Sequence, residues 1–279
     1  MQRTWFITGA AGGLGRALTE AALARGDTVV GSVRRAEHAA ELEALAPTRC
    51  FAEILDLTAG DAAIRAAVES AIARAGDLDV VVNNAGYGLV GAAEEVSDTE
   101  ARHQFETNFF GALSVLRAVL PHLRARRRGH IINLSSATGL FGSPGLALYS
   151  ASKFALEGLS EALQSEVTPW GIRVTIVEPG AFRTDWAGRS IVKSERVIDG
   201  YADGGSTRDM IDSMNGNQAG DPARLAAAVL TVVDADEPPL RLLLGTGLPE
   251  RVRQKHERMS AEIAAWRHIT DSTSFESTP

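Results

Sequence analysis

The chain has 279 residues, of which 45% are hydrophobic and 23% charged, and it carries a formal net charge of −7. This is the balance of an ordinary globular protein, and without a basic field it excludes recognition of nucleic acid or of an anionic membrane by bulk charge. A single cysteine, Cys50, excludes an internal disulfide, and neither it nor the six histidines show metal-ligand spacing, so no metal is expected.

From the N-terminus, residues 1–7 enter a strand-like segment with no charged stretch and signal-length apolar run, and no apolar run is long enough to cross a bilayer. The expectation is a cytoplasmic protein without membrane contacts. Short aliphatic runs predict strands at residues 4–8, 28–33, 50–55, 78–82, 130–134, 173–177 and 240–244. Apolar residues at helical spacing predict helices at 13–25, 36–45, 62–75, 98–127, 149–170 and 222–234. Such alternation predicts an α/β fold, a doubly wound parallel seven-stranded sheet with helices on both faces, in a single domain over residues 1–269. Right-handed crossovers and a reversal of strand order then put a ligand crevice at the carboxyl ends of the strands. Residues 184–220, rich in Gly, Ser, Asp and Asn, interrupt the pattern and read as a lid, with a plain surface insertion as the alternative. Residues 248–266 read as an amphipathic helix for packing or an interface, and 270–279 as a disordered tail.

Two segments carry chemistry. Thr8-Gly9-Ala10-Ala11-Gly12-Gly13-Leu14-Gly15 lies between the first strand and the first helix. Glycines there let the backbone turn tightly and approach a pyrophosphate at the positive end of the helix. Gly9, Gly12, Gly13, Leu14 and Gly15 are the candidate contacts, and a purely structural turn is the alternative. Tyr149-Ser150-Ala151-Ser152-Lys153 begins a helix, placing Tyr149 and Lys153 as i,i+4 neighbours on one face. With only three tyrosines and three lysines in the chain, that spacing is uncommon by chance. A phenol titrating near ~10 is a poor acid–base catalyst at neutral pH, and a nearby cation stabilises phenolate and lowers that value.

With these motifs the chain resembles the short-chain dehydrogenases/reductases of the compact, non-extended branch, over nearly the whole length to about Gly245. The motifs run in that family's order. TGxxxGxG stands at residues 8–15, Asn83-Asn84-Ala85-Gly86 after the fourth strand, Asn108 in a helix, and Ser136 after the fifth strand. Tyr149 with Lys153 and Pro179-Gly180 with Thr184 follow. The resemblance implies a Rossmann-type fold and an NAD(P)-dependent oxidoreductase that interconverts a ketone or aldehyde and an alcohol by hydride transfer. Tyr149 would be the general acid/base, Lys153 would depress its pKa and bond the nicotinamide ribose, and Ser136, rather than Ser135, would hold the substrate oxygen. Asn108 would hold a water linking Lys153 to solvent; without the resemblance it reads as a helix-interior asparagine satisfied by backbone.

For the cofactor, the resemblance implies that Asp56 accepts from the adenine amino group, with Leu57 beside it, and that Asn83, Ala85 and Gly86 line the adenosine ribose. Read alone, Asp56 is equally a turn or cap aspartate. Pro179 and Gly180 would let the nicotinamide approach, and Phe182 and Thr184 would flank its carboxamide or pyrophosphate. NAD-preferring relatives end the second strand with an acid, where this chain has Val33. Arg34 follows, resembling the position that binds the 2′-phosphate of NADP, and Ser32 adds a hydroxyl. NADP(H) is therefore the expected cofactor over NAD(H).

Tyr87, Thr138, Phe141, Leu146 and Trp186, with Leu89, Val90, Leu140 and Phe182, form a largely apolar expected substrate wall, which favours a hydrophobic small molecule over a sugar. Residues 84–91 and 152–161 resemble the hydroxysteroid and retinol dehydrogenase subgroups. A homodimer or homotetramer is implied, built on the helices at 98–127 and 149–170, where Phe109, Leu113, Leu116, Leu156, Leu159 and Leu163 serve an interface or the core. The reading from a different class is a non-catalytic NADP-binding sensor or scaffold on the same fold, which would need no proton donor.

Overall fold

A computed structural model describes residues 2–188, 190–201 and 207–275. Contacts group the chain into two units, Met1–Gly245 and Thr246–Pro279. In chain order the strands of the first unit are β1 (Thr4–Ile7), β2 (Thr28–Val33), β3 (Cys50–Ile54), β4 (Val80–Asn83), β5 (Gly88–Val90), β6 (Gly129–Leu134), β7 (Ile172–Pro179), β8 (Ile191–Lys193) and β9 (Arg241–Leu244). Its helices are α1 (Gly13–Ala24), α2 (Ala36–Glu43), α3 (Asp61–Ala75), α4 (Asp98–Phe105), α5 (Gly111–Arg126), α6 (Ala147–Val167), α7 (Thr207–Met214) and α8 (Pro222–Asp234).

Seven strands form one sheet in the order β3-β2-β1-β4-β6-β7-β9, every pairing parallel. Alternate side chains of each strand enter different layers, so both faces need apolar residues. Trp5 and Ile7 of β1 and Val80 and Val82 of β4 pack with Leu18 and Ala22 of α1 and Leu225 and Val229 of α8. Phe6 and Val81 point the other way, into a layer with Val68 of α3, Leu116 of α5 and Leu163 of α6. Each such side chain, fully buried, contributes roughly 1.5–3 kcal/mol relative to exposure. The chain builds outward from β1 to β3, then returns to β4 on the other side of β1. That reversal opens a crevice at the carboxyl ends of β1 and β4.

The helix expected over residues 98–127 is interrupted. Glu106–Phe110 forms a π-helical turn between α4 and α5, closed by the Gly111 N–H donating to the Glu106 carbonyl. Apolar spacing does not distinguish such a turn from continuous α-helix. Residues 184–220, expected to be irregular, contain a 3-10 turn (Asp185–Ala187), α7 and the strand β8. β8 pairs in parallel with β5, with Gly88 opposite Ile191. The three-residue strands and eight-residue helix are too short for periodicity to reveal. The excursion closes at its base, where the Arg183 N–H donates to the Gly220 carbonyl (2.8 Å) and the Gly220 N–H to the Ala181 carbonyl (3.0 Å). Residues 189 and 202–206 of it lie outside the described residues.

In the second unit a single helix, α9 (Leu248–Asp271), extends beyond the expected end at 266 and so takes residues 270 and 271 out of the expected tail. Its own ion pairs carry it there: Arg253 bridges Glu250 and Glu257, and Arg267 meets Asp271 at 3.2 Å. The sheet unit ends at Gly245, short of the 269 expected for the domain. The last four residues of the expected tail, 276–279, lie outside the described residues. Among the described residues no helix is long and apolar enough to cross a membrane.

One buried titratable group ties this fold to pH. His130 on β6 is 4% exposed, and its Nε2 lies 2.9 Å from Thr175 Oγ1. The Thr175 hydroxyl gives its proton to the Pro239 carbonyl (2.7 Å), so Nε2 is the donor, and Nδ1, buried with no partner among the described residues, favours the neutral ring. Burial, reinforced by Arg173 and Arg3, pushes His130 down from 6.5 to about 3. Between these values the unfolded chain binds a proton that the folded chain refuses. This contribution to stability is therefore complete above the unfolded value and is lost as pH falls below it. The melting temperature is expected to drop more steeply from about pH 6.5 to about pH 4 in the wild type than in His130→Gln; equal slopes would contradict the assignment.

Candidate active site

The glycine-rich turn after β1 packs too closely for side chains. A Cβ at Gly15 would lie 2.3 Å from the Gly9 carbonyl oxygen and 2.5 Å from Asn84 Nδ2, and Gly9 and Gly13 have φ of +66° and +53°. α1 starts after Gly12 with no side-chain cap and no acidic residue in its first turn. Its first N–H groups therefore face the crevice without an intrahelical acceptor, which is the donor set a pyrophosphate needs. Gly12 itself meets no atom within 4 Å of a built Cβ, so its role is not steric within the chain. Leu14 packs against the core beside α1.

Two residues absent from the expected site hold this turn. Thr8 Oγ1 accepts from the Asn84 and Ala85 N–H groups at 3.0 Å. Asn84 Nδ2 donates to the carbonyls of Thr8 (2.8 Å) and Gly9 (3.2 Å). Together they weld the β1 exit to the β4 exit across the reversal. Their signal lay within motifs already singled out. Asn83, by contrast, turns into the sheet, donating to Asn133 Oδ1 at 2.9 Å, and is 4% exposed.

Ser136, Tyr149 and Lys153 converge as expected. The Tyr149 phenol hydrogen-bonds Ser136, whose Oγ also accepts from Thr138 Oγ1 (3.0 Å) and N–H (3.2 Å). Lys153 Nζ donates to the Leu134 carbonyl at 2.7 Å and lies 5.9 Å from the Tyr149 ring centroid. Tyr149 and Lys153 are each 5% exposed. Burial dominates both: it pushes the phenol up to about 12, against the Ser136 bond, and the ammonium down to about 8, against Glu157. The protein's own groups do not produce the depressed phenol expected from the Tyr–Lys pairing, because desolvation of the phenolate outweighs its neighbours.

Asn108 sits in the π-helical turn, 1% exposed. Its Oδ1 accepts from the Tyr87 N–H (3.0 Å), and its Nδ2 donates to the Tyr87 carbonyl (2.9 Å) and to Ser152 Oγ (3.2 Å). Ser152 Oγ in turn donates to the Tyr149 carbonyl at 2.7 Å. The side chain thus braces the β4 exit against α6. Beside it, a Cβ at Gly86 would stand 3.0 Å from Asn108 Oδ1 and 3.8 Å from Lys153 Nζ.

The remaining cofactor candidates divide. Arg34 is exposed at the end of β2, next to the buried Val33, and its charge reaches Asp56. Asp56 Oδ1 accepts from the Thr58 N–H (2.9 Å) and hydroxyl (2.8 Å); these bonds, the N–H first, hold its carboxyl below the usual range. That is a turn aspartate with its second oxygen still available. Ser32 is 2% exposed, and its Oγ accepts from the Gly9 N–H at 3.2 Å, so it supports the glycine turn from below. Leu57 is buried against Gly111, where a Cβ would come within 2.7 Å of it. The Gly180 N–H is spent on Leu244 (2.8 Å), directly after Pro179 ends β7. Phe182 packs on Gly220 at the base of the excursion. Thr184 faces the glycine turn, 3.7 Å from a Cβ built at Gly13.

On the substrate side, Leu146, Val90, Ala187 and Ile211 pack with Tyr149, and Trp186 lies with its ring centroid 5.5 Å from that of Tyr149 at 49°. Gly88 makes room for the indole, since a Cβ there would meet Trp186 Cζ2 at 2.7 Å. Thr138 stands on Ser136, and the Phe141 N–H donates to the Ala137 carbonyl at 3.3 Å. Tyr87 departs from the expected wall: its ring pairs with His103 of α4 at 5.7 Å.

The comparisons agree with this geometry. Residues 3–194 match the family model described as short chain dehydrogenase. An oxidoreductase, BOA17, of Botryotinia fuckeliana is 39% identical over 97% of this chain and 98% of its own length. A 3-ketodihydrosphingosine reductase of Bacteroides thetaiotaomicron is 38% identical over 86% of each. The crystal structure of a short-chain dehydrogenase from Streptomyces avermitilis superposes with a TM-score of 0.90 at 40% identity, covering 99% of both chains. The matched span carries the glycine turn, Ser136, Tyr149 and Lys153, and the chain belongs to the short-chain dehydrogenase/reductase family of oxidoreductases.

Proposed function

We propose that the chain reduces a ketone or aldehyde on an apolar small molecule, or oxidises the matching alcohol, with NADP(H) as cofactor and Tyr149 as the proton-transferring group. The observation that carries this is the buried Tyr149 hydroxyl on Ser136, with the Lys153 ammonium beside its ring. The uncapped start of α1 and the side-chain-free glycine turn fit a dinucleotide running from Arg34 to Lys153. When bound, that cofactor supplies or accepts the hydride. A phenol pushed up to about 12 stays protonated at neutral pH and is set to donate to a carbonyl oxygen. Ser136 orients that oxygen and stabilises charge developing on it. Lys153 favours the phenolate left behind, and Asn108, buried beside Gly86, would hold a water linking Lys153 to solvent.

The wall of Val90, Leu146, Ala187 and Trp186 supports an apolar substrate, and the relative named as a 3-ketodihydrosphingosine reductase supports a ketone. The described part of the 184–220 segment, which sets Trp186 and Ile211 beside Tyr149, supports reading that segment as a lid over it. Arg34, without an acid at Val33, supports NADPH. Phe110 of the π-helical turn and Phe154 of α6, 46% and 40% exposed, support a homo-oligomer, while Leu116, Leu156 and Leu163 are spent in the core.

Tyr149→Phe is expected to lower the turnover rate by on the order of 10²–10⁴ while dinucleotide affinity stays within about threefold. A variant keeping more than about a tenth of the wild-type rate would remove Tyr149 as the acid. Steady-state kinetics with NADPH and NADH should show at least a tenfold preference for NADPH, about 1.4 kcal/mol. That preference should be lost in Val33→Asp/Arg34→Ala. A wild type equally efficient with NADH would overturn the cofactor assignment and leave Tyr149 untouched.

A further inference from the structure

Behind Lys153 lies a cluster that the chemistry above does not use. Glu157, one turn further along α6, is 5% exposed, and Glu178 of β7 is 0% exposed. Both meet Arg241 of β9: Glu178 Oε1 at 2.9 Å, and Glu157 through its Oε2. Arg241 also reaches Glu161 of α6 at 2.8 Å, at the surface. The other two oxygens, Glu157 Oε1 and Glu178 Oε2, are buried without a hydrogen-bond partner among the described residues, as is Ser135 Oγ. The two carboxyls act on one another, and a proton held between them gives each bare oxygen a partner. One guanidinium thus faces two buried carboxyls that share a proton. The 3-10 turn Ala137–Gly139 closes the remaining side with no charged group, Gly139 lying against Ser135 and Glu157.

We propose that Glu157, carried by Arg241 and sharing a proton with Glu178, is the buried counter-charge that keeps Lys153 protonated, a positioning residue for the reaction. The inference rests on the role given above to Lys153. Lys153 and Glu157 are i,i+4 neighbours on the buried face of α6. The Lys153 acceptor, the Leu134 carbonyl, adjoins Ser135, and Ser135 adjoins Ser136, so the cluster and the reacting groups share one strand exit. With its proton the cluster is neutral apart from Glu161 at its rim. When the proton leaves, the cluster gains one negative charge close to Lys153. Burial first, and then Glu157, pushes Glu178 up to about 7, whereas Lys153 is lowered to about 8. Ionisation of the carboxyl pair places the new charge one helical turn from Lys153 and postpones the lysine's loss of its proton.

The pH profile of kcat/KM for carbonyl reduction tests this in the full chain. Glu157→Gln should keep the wild-type rate at about pH 6.5 within about threefold and move the alkaline decline down by about one pH unit, with Glu178→Gln moving it the same way by less. Rates lowered equally at every pH, with the decline unmoved, would show a merely structural cluster and overturn the proposal. Should either variant fail to fold, carbon-13 NMR of wild type labelled in the glutamate carboxyls decides. A buried carboxyl pair titrating between about pH 6 and pH 8 is expected, and all carboxyls titrating below about pH 5 would overturn the proposal. These outcomes are separate from the test of Tyr149: a dead Tyr149→Phe with an unmoved Glu157→Gln profile rejects the counter-charge alone.

Discussion

The structure depends on the reversal of strand order between β1 and β4 and on the hydrogen bonds that lock it. At that point two strand exits diverge to opposite sides of the sheet, leaving backbone that must be satisfied without a neighbouring strand. Thr8 and Asn84 do this with one hydroxyl and one amide, tying the glycine turn to the β4 exit. Because Gly15 has no Cβ, α1 can start against the Gly9 carbonyl and point its free N–H groups into the crevice. Asn108 then fixes the next segment, residue 87, to α6, and through Ser152 reaches the backbone of Tyr149. Geometry at the reversal is thereby carried to the reacting groups through short, buried, polar contacts.

Burial sets the electrostatics of the site. The same exclusion of water that holds the Tyr149 phenol protonated pushes the Lys153 ammonium toward neutrality. A site built this way suits proton donation but risks losing the cation that stabilises the product phenolate. The carboxyl–guanidinium cluster behind α6 answers that conflict from a distance, using residues of three elements, α6, β7 and β9.

The large features were legible because they are local or repeat along the chain. The seven strands read correctly to within two residues, since strands buried on both faces need aliphatic residues at every position. The tyrosine and lysine were legible because a helix fixes their spacing. What escaped was non-local or sub-periodic. The π-helical turn at Asn108 keeps the apolar spacing of the helix around it, and β5 and β8 are three residues each. Ser32 looked like a phosphate donor, but its oxygen supports Gly9, a contact visible only once β1 and β2 are paired. Nothing in the sequence marks Glu157 and Glu178, because the residue that makes their burial tolerable, Arg241, arrives more than sixty positions later.

The central claim is that this site moves a hydride to a carbonyl carbon while Tyr149 supplies the proton to its oxygen. The most direct measurement uses reduced dinucleotide deuterated at the transferring carbon of the nicotinamide, with an apolar ketone, and mass spectrometry and NMR of the alcohol formed. An alcohol carrying one deuterium, bonded to the carbinol carbon and in one stereochemical sense, is expected. An alcohol formed without deuterium, or with it scrambled into solvent, would rule out direct hydride transfer at this site.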